Sequence, residues 1–223
     1  MNARPRGQSR RTGRSGRRTG DSGTSEAILD AARAQFAEHG YRGATIRAIA
    51  ARAKVDPALV HHFYGTKEAL FAAAMRLPVV PSEALTAAFE SEPAEGGPGE
   101  QVVRSALTLW ETDGLKETFL GLLKSAVTSE EAAIMLREFV AESILGTLVR
   151  VVGVKGTGAE VEYRAAMVAT QMLGLAMTRL VLGLPAVTQV TVAELAATIG
   201  PSVERYLTGE IELPDRFAGI DAH

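Results

Sequence analysis

Apolar residues recur at helical spacing through most of the chain. Between Ser25 and His39, Ile28, Ala32 and Phe36 follow one another every four residues, with Leu29 beside them. That spacing lines one face of a helix. Thr24 or Ser25 can cap its start, and Gly40 stops it. Thr45 caps a second, short helix with Ile46, Ile49, Ala50 and Ala53 inward. Lys54-Val55 makes a turn, and Asp56 caps a third helix running to about Tyr64. Pro57 sits at its first position, where the missing N–H costs no hydrogen bond. After Gly65, Thr66 caps a fourth helix with Leu70, Phe71 and Ala74 on one face, ending before Pro78. Further helices are predicted near 82–91, 100–112, 115–128, 130–152, 160–183 and 191–208, separated by Gly- and Pro-rich punctuation. Gly200-Pro201 should kink or split the last one. No run alternates with strand period and no segment repeats, so the expected fold class is all-α.

Composition narrows the chemistry. With 223 residues, 46% of them apolar, the chain can bury a substantial core as one large domain or two small ones. It has no cysteine, which excludes disulfides, thiolate metal sites and cysteine nucleophiles. Its four histidines are His39, His61, His62 and His223. Adjacent residues on a helix point about 100° apart, so His61 and His62 do not make a metal pair. The nucleophile-elbow, P-loop, zincin and dinucleotide-binding patterns are absent. No catalytic residue, metal site or cofactor is expected.

The net charge of −2 hides a division. Residues 1–20 carry seven arginines and no acid, whereas residues 77–223 carry ten basic and twenty acidic residues. A basic front and an acidic back suit a protein whose front meets a polyanion. Residues 1–23, built of Arg, Gly, Ser and Thr, are expected to be a disordered tail. They are no signal peptide, because no apolar stretch follows the arginines. Residues 165–184 are the most apolar run, but Arg179 inside a bilayer would cost at least about 2.5 kcal/mol. A helix buried in protein is cheaper, and the protein is expected to be soluble, cytoplasmic and without a membrane partner.

Residues 45–67 concentrate the candidate function. Two short helices joined by a tight turn make a helix-turn-helix, which lays its second helix in the DNA major groove. Arg47 and Lys67 sit in first helical turns, where a cation opposes the helix dipole by about 0.3–1 kcal/mol. An anion at the same place reverses that sign. Free N–H groups, a capping threonine and a nearby cation together suit a phosphate.

The string Ile28-Leu29-Asp30-Ala31-Ala32, Phe36-Ala37-Glu38-His39-Gly40-Tyr41, Ala44-Thr45-Ile46, Ile49-Ala50, Val55 and Val60-His61-His62-Phe63-Tyr64-Gly65-Thr66-Lys67-Glu68-Ala69-Leu70 resembles the DNA-binding head of the tetracycline-repressor (TetR) family of bacterial regulators. The resemblance covers about a quarter of the chain. It implies a DNA face of Thr45, Arg47, Asp56, Pro57, Ala58, Leu59, His61, His62, Thr66 and Lys67. Thr45 and Lys67 would hold phosphates and Arg47 would contact a base. His61 stands in place of the tyrosine usual there, and Val60, Phe63 and Tyr64 would be core. Two departures are visible. Lys54 occupies a turn position normally held by glycine, at a left-handed cost. Pro57, Ala58 and Leu59 offer no side-chain donor, which leaves direct readout to Arg47, His61 and contact with thymine methyls.

The resemblance also implies the organisation of the rest: a head at 24–76, a ligand-binding and dimerisation domain at 77–208, and a loose tail at 209–223. Ala165, Ala169, Leu173, Met177, Leu180 and Val181 are the candidate dimer contacts. Phe89, Trp110, Phe119, Leu123 and Met172 are the candidate lining of a pocket for a small, largely apolar effector. The implied activity is that of a homodimeric repressor on a palindromic site in double-stranded DNA. Two other classes remain open at this point: a sequence-nonspecific DNA-compacting protein acting through the arginine tail, and a helical enzyme of unknown chemistry.

Overall fold

The computed structural model describes residues 16–91, 96–215 and 217, with side chains from residue 22 onward. Among the described residues the chain is helical and contains no strand. The head comprises α1 (Gly16–Gly43, broken at Gly40, whose φ of 70° is not helical), α2 (Ile46–Ala53), α3 (Pro57–Tyr64) and α4 (Lys67–Ala74). The body begins with α5 (Pro81–Glu90), α6 (Gly97–Trp110) and α7 (Leu115–Thr128). Helix α8 starts as Glu130–Phe139 and continues through a π-helical turn (Val140–Leu145), an α turn (Gly146–Leu148) and a second π-helical stretch (Val149–Gly153). Helix α9 (Gly158–Ala176) also ends in π-helix, Met177–Val181. A short α10 (Pro185–Thr188) leads to α11 (Val192–Leu207).

Two differences from the sequence expectation concern the ends. Helix α1 starts at Gly16, so residues 16–23 of the expected disordered tail are helical. A helix already nucleated by packed residues extends without a second nucleation cost. The remainder of that tail lies outside the described residues. At the other end, the described residues after α11 are tied down, and the rest of the expected loose tail lies outside the described residues. The Lys155 N–H donates to Leu207 O, Lys155 pairs with Glu210, and the Phe217 ring stacks on Tyr163 at 4.8 Å. Arg164, only 2% exposed, donates to the carbonyls of Tyr206 and Gly209 at 3.2 and 3.0 Å. A buried cation thus terminates α11 at the negative end of its dipole.

The core has two parts. Ile28, Ala32 and Phe36 of α1, Ile49 and Ala50 of α2, Val60 of α3 and Leu70 and Phe71 of α4 form the first, completed by Met135 and Phe139 of α8. The second unites α6, α8, α9 and α11 through residues such as Val103, Leu107, Leu148, Val168, Val203 and Leu207.

Helices α6 and α11 meet backbone to backbone. A Cβ on Gly99 would lie 2.3 Å from Gly200 O, and one on Gly200 would lie 2.8 Å from the Glu100 Cα. Helix α6 has no side-chain cap of its own; the Glu204 carboxylate of α11 accepts the Gly99 N–H instead. Helix α11 is continuous through Pro201, so of the expected kink or split there is no split. Its start is held by a capping box, in which Thr191 Oγ1 accepts the Glu194 N–H and Glu194 accepts the Thr191 N–H. Its middle is held by the contact at Gly200.

Adding one methyl at that contact overpacks it. Gly99→Ala is expected to destabilise the protein by about 1–3 kcal/mol in urea unfolding. Gly121→Ala, where a Cβ meets nothing within 4 Å, is expected to stabilise it by about 0.5–1 kcal/mol.

Candidate nucleic-acid interface and apolar cavity

Each short helix of the head is started by the side chain that the sequence marks for it. Thr45 Oγ1 accepts the Ala48 N–H at 3.1 Å, Asp56 Oδ1 the Ala58 N–H at 2.7 Å, and Thr66 Oγ1 the Ala69 N–H at 3.0 Å. Lys54 lies in the left-handed region at φ 58°, ψ 41°. Its strain of about 1–2 kcal/mol is offset by two turn-closing bonds. The Lys54 N–H donates to Ala51 O at 3.2 Å, and the Val55 N–H to Ala50 O at 3.0 Å.

Thr45, Arg47, Asp56, Ala58, His61, His62 and Thr66 are exposed, while Pro57, Leu59 and Lys67 are half-buried. Val60 is buried, and Phe63 and Tyr64 pack at the edge of the head core. Tyr64 Oη donates to Ser25 O at 3.0 Å, fixing α3 to α1. Arg52, by contrast, is held by Glu38 at 2.7 Å. That pairing keeps the Glu38 carboxyl below the ordinary carboxylate range. Lys67 is not turned out to solvent: its ammonium donates to Arg42 O at 3.3 Å and stands 4.6 Å over the Tyr41 ring. Burial pushes its pKa below the ordinary lysine value, against the pull of Glu142 and Glu138.

His61 carries a proton constraint. Its Nδ1 donates to Gly65 O at 2.9 Å, because a carbonyl can only accept. In the neutral ring Nε2 is then an acceptor and has no proton for a phosphate. Contact with a phosphate through Nε2 therefore requires the imidazolium. His61→Ala is expected to weaken duplex affinity, followed by fluorescence anisotropy, about equally for all sequences. Unchanged affinity would remove His61 from the phosphate contacts.

Between α5, α6, α7, α8 and α9 lies a cavity of about 310 Å³. Trp110, Phe119, Leu123 and Met172 line it, but Phe89 does not. On α5 the wall is formed by Pro81, Ala84 and Leu85, and Phe89, one turn further on, packs into the second core instead. The Trp110 and Phe119 rings stand nearly parallel, at 28° and 6.3 Å between centroids. Ser105 brings the one hydroxyl of the lining, and it donates to Gln101 O at 2.6 Å. The π-helical turn of α8 contributes Val140, Ile144 and Leu145. Sequence periodicity carries no signal for that turn.

Helix α9 also presents an apolar stripe outward. Leu173, Met177 and Val181 are exposed, followed by Leu182 and Leu184. Leu180 is half-buried and Ala169 lines the cavity. Ala165 is buried inside the protomer, so it is not available to a second copy. The small outward residues are Ala166, Thr170 and Gly174, which share the exposed face with Leu173 and Met177. Among the described residues no helix is long and apolar enough to cross a membrane.

Comparison with known proteins agrees with both halves. Residues 28–74 match the family model described as bacterial regulatory proteins, tetR family. Residues 97–207 match the tetracyclin repressor-like C-terminal domain. The HTH-type transcriptional repressor AcnR of Corynebacterium efficiens is 52% identical over 52 residues, 23% of this chain and 27% of that protein. An HTH-type transcriptional repressor of Streptomyces coelicolor is 44% identical over the same length and shares. These curated relatives are therefore matched over about a quarter of their length. A crystal structure of a TetR-family regulator from Streptomyces coelicolor A3 is 39% identical, covering 86% of this chain and 98% of that one, with a TM-score of 0.41. With both domain models matched in order, and with the two together spanning more than half of the chain, the chain belongs to the TetR family of bacterial regulatory proteins.

Proposed function

We propose that the protein is a homodimeric repressor that binds an inverted-repeat operator in the cytoplasm and is released by a small, largely apolar effector. The observation that carries the effector reading is the cavity of about 310 Å³, whose lining is apolar apart from Ser105 and the indole of Trp110. Such a space rejects charged molecules, which would lose their hydration there without gaining a partner. The stripe from Leu173 to Leu184 supports a second copy as its cover, since exposed aliphatic side chains in a row are costly to leave in water. Two heads related by a twofold axis read half-sites about 34–36 Å apart. Release follows from population shift: the effector weakens DNA binding only by its preference for the state that does not fit the operator.

Selection from a random duplex library at about 150 mM salt, where purely electrostatic binding is suppressed, is expected to return one inverted repeat. Recovery without a motif would overturn operator recognition and favour nonspecific compaction. A reporter placed behind the recovered repeat should fall when the protein is present; a rise would make it an activator.

Trp110 is the one tryptophan of the chain and lines the cavity, so its fluorescence reports occupancy. The neutral apolar probe N-phenyl-1-naphthylamine is expected to quench Trp110 and to lower affinity for the selected duplex. Ala106→Phe, which places a ring in the cavity, should abolish both effects while leaving DNA affinity of the free protein in place. Quenching unaltered by Ala106→Phe would put the probe elsewhere.

A further inference from the structure

The seam between head and body gathers opposite charges beside the DNA face. Gly40 leaves the helix at φ 70°, and a Cβ there would lie 2.7 Å from Glu138 Oε2, so only glycine admits that carboxylate. The same oxygen accepts the Arg42 N–H at 2.8 Å. One turn further along α8, Glu142 Oε1 accepts the Arg42 Nε–H at 2.6 Å. Ser143 follows, sharing a buried hydrogen bond of 3.2 Å with the Tyr41 hydroxyl. Lys67 closes the group through its bond to Arg42 O and its position over the Tyr41 ring.

Glu142 thus holds the Arg42 guanidinium and Glu138 its backbone N–H, while the Arg42 carbonyl and the Tyr41 ring hold Lys67. Stability does not require the ionic part of this arrangement. The Arg42–Glu142 pair is well exposed, at 63% and 41%, and such pairs contribute little. The aromatic contacts of Tyr41 with Phe71 and Phe139 already join the two parts. A DNA phosphate approaching the start of α4 seeks the same two cations and meets the two carboxylates as competitors.

We propose that Glu138 and Glu142 are positioning residues for DNA binding: carried by the body, they latch Arg42 directly and Lys67 through the Arg42 carbonyl and the Tyr41 ring, and a backbone phosphate must displace them. The latch sets operator affinity from outside the helix-turn-helix. It rests on the reading of residues 45–67 as the DNA face and is independent of the effector.

The test uses Glu138→Gln, Glu142→Gln and the double variant in the full chain, each keeping side-chain size and an acceptor oxygen. Circular dichroism confirms that each folds. Affinity for the selected duplex is measured from 50 to 300 mM salt. Each single variant is expected to bind about two- to fivefold tighter. The double variant should also show a salt slope steeper by about one, the signature of one more phosphate contact. In an Arg42→Ala background most of the gain from Glu142→Gln should vanish. A gain that persists there is a general through-space charge effect and overturns the latch. Unchanged or weaker binding by the glutamine variants overturns it as well, and marks the carboxylates as structural. If the parent chain binds no duplex, the DNA-face reading falls and takes the latch with it. If the parent binds and the variants fail to tighten, the latch alone falls.

Discussion

Four aromatic rings make the head and the body one structure. Phe36 and Tyr41 of α1, on either side of its break at Gly40, Phe71 of α4 and Phe139 of α8 lie with neighbouring centroids 4.3 to 5.9 Å apart. Pairs at these separations add about 0.5–1.5 kcal/mol beyond the area they bury. The head needs them for another reason. A unit of about 50 residues buries too little of its own surface to be comfortably stable. Its core is finished by Met135 and Phe139, which belong to the body. The DNA face is therefore not an appendage on a linker: its helices share a core with α8.

Helix α8 consequently serves two masters. Glu138, Phe139, Glu142 and Ser143 face the head. Val140, Ile144 and Leu145 line the cavity. A π turn carries more residues per turn than an α-helix, and so redistributes side chains around the axis; such turns are frequent at functional sites. The wall of the cavity and the grip on the head lie in the same six to eight residues. Any rearrangement of the π turn that accommodates an occupant is felt at Tyr41 without a long relay.

Legibility in the sequence followed the range of the interaction. The head could be read because its determinants are local. Thr45, Asp56 and Thr66 each cap within three residues of themselves, Gly40 stops a helix, and the cost at Lys54 follows from the turn it occupies. Four of the five expected cavity residues were also legible, since an apolar face on a helix must point at something. What periodicity could not give was which neighbour a face meets. Ala165 and Ala166 differ by a rotation of one residue, and only packing decides which turns inward. Phe89 has two apolar destinations and takes the core. Arg42 and Glu138 are 96 positions apart, and Gly99 and Glu204 are 105 apart, so no local pattern announces either contact.

The crossing of α6 and α11 has a consequence in time as well as space. Chains emerge from the ribosome N-terminus first, at about 5–20 residues per second. The head can assemble its helices early, yet its core waits for Phe139. The body waits longer, because the cap on α6 and the backbone contact at Gly99 are both supplied by residues 200–204. Until then α6 has an uncapped start and an uncovered apolar face, and the nascent chain is a set of helices without a closed interior. Closure is a late and cooperative event, and interruption of synthesis before α11 emerges leaves a protein with a nearly complete DNA head and no finished body.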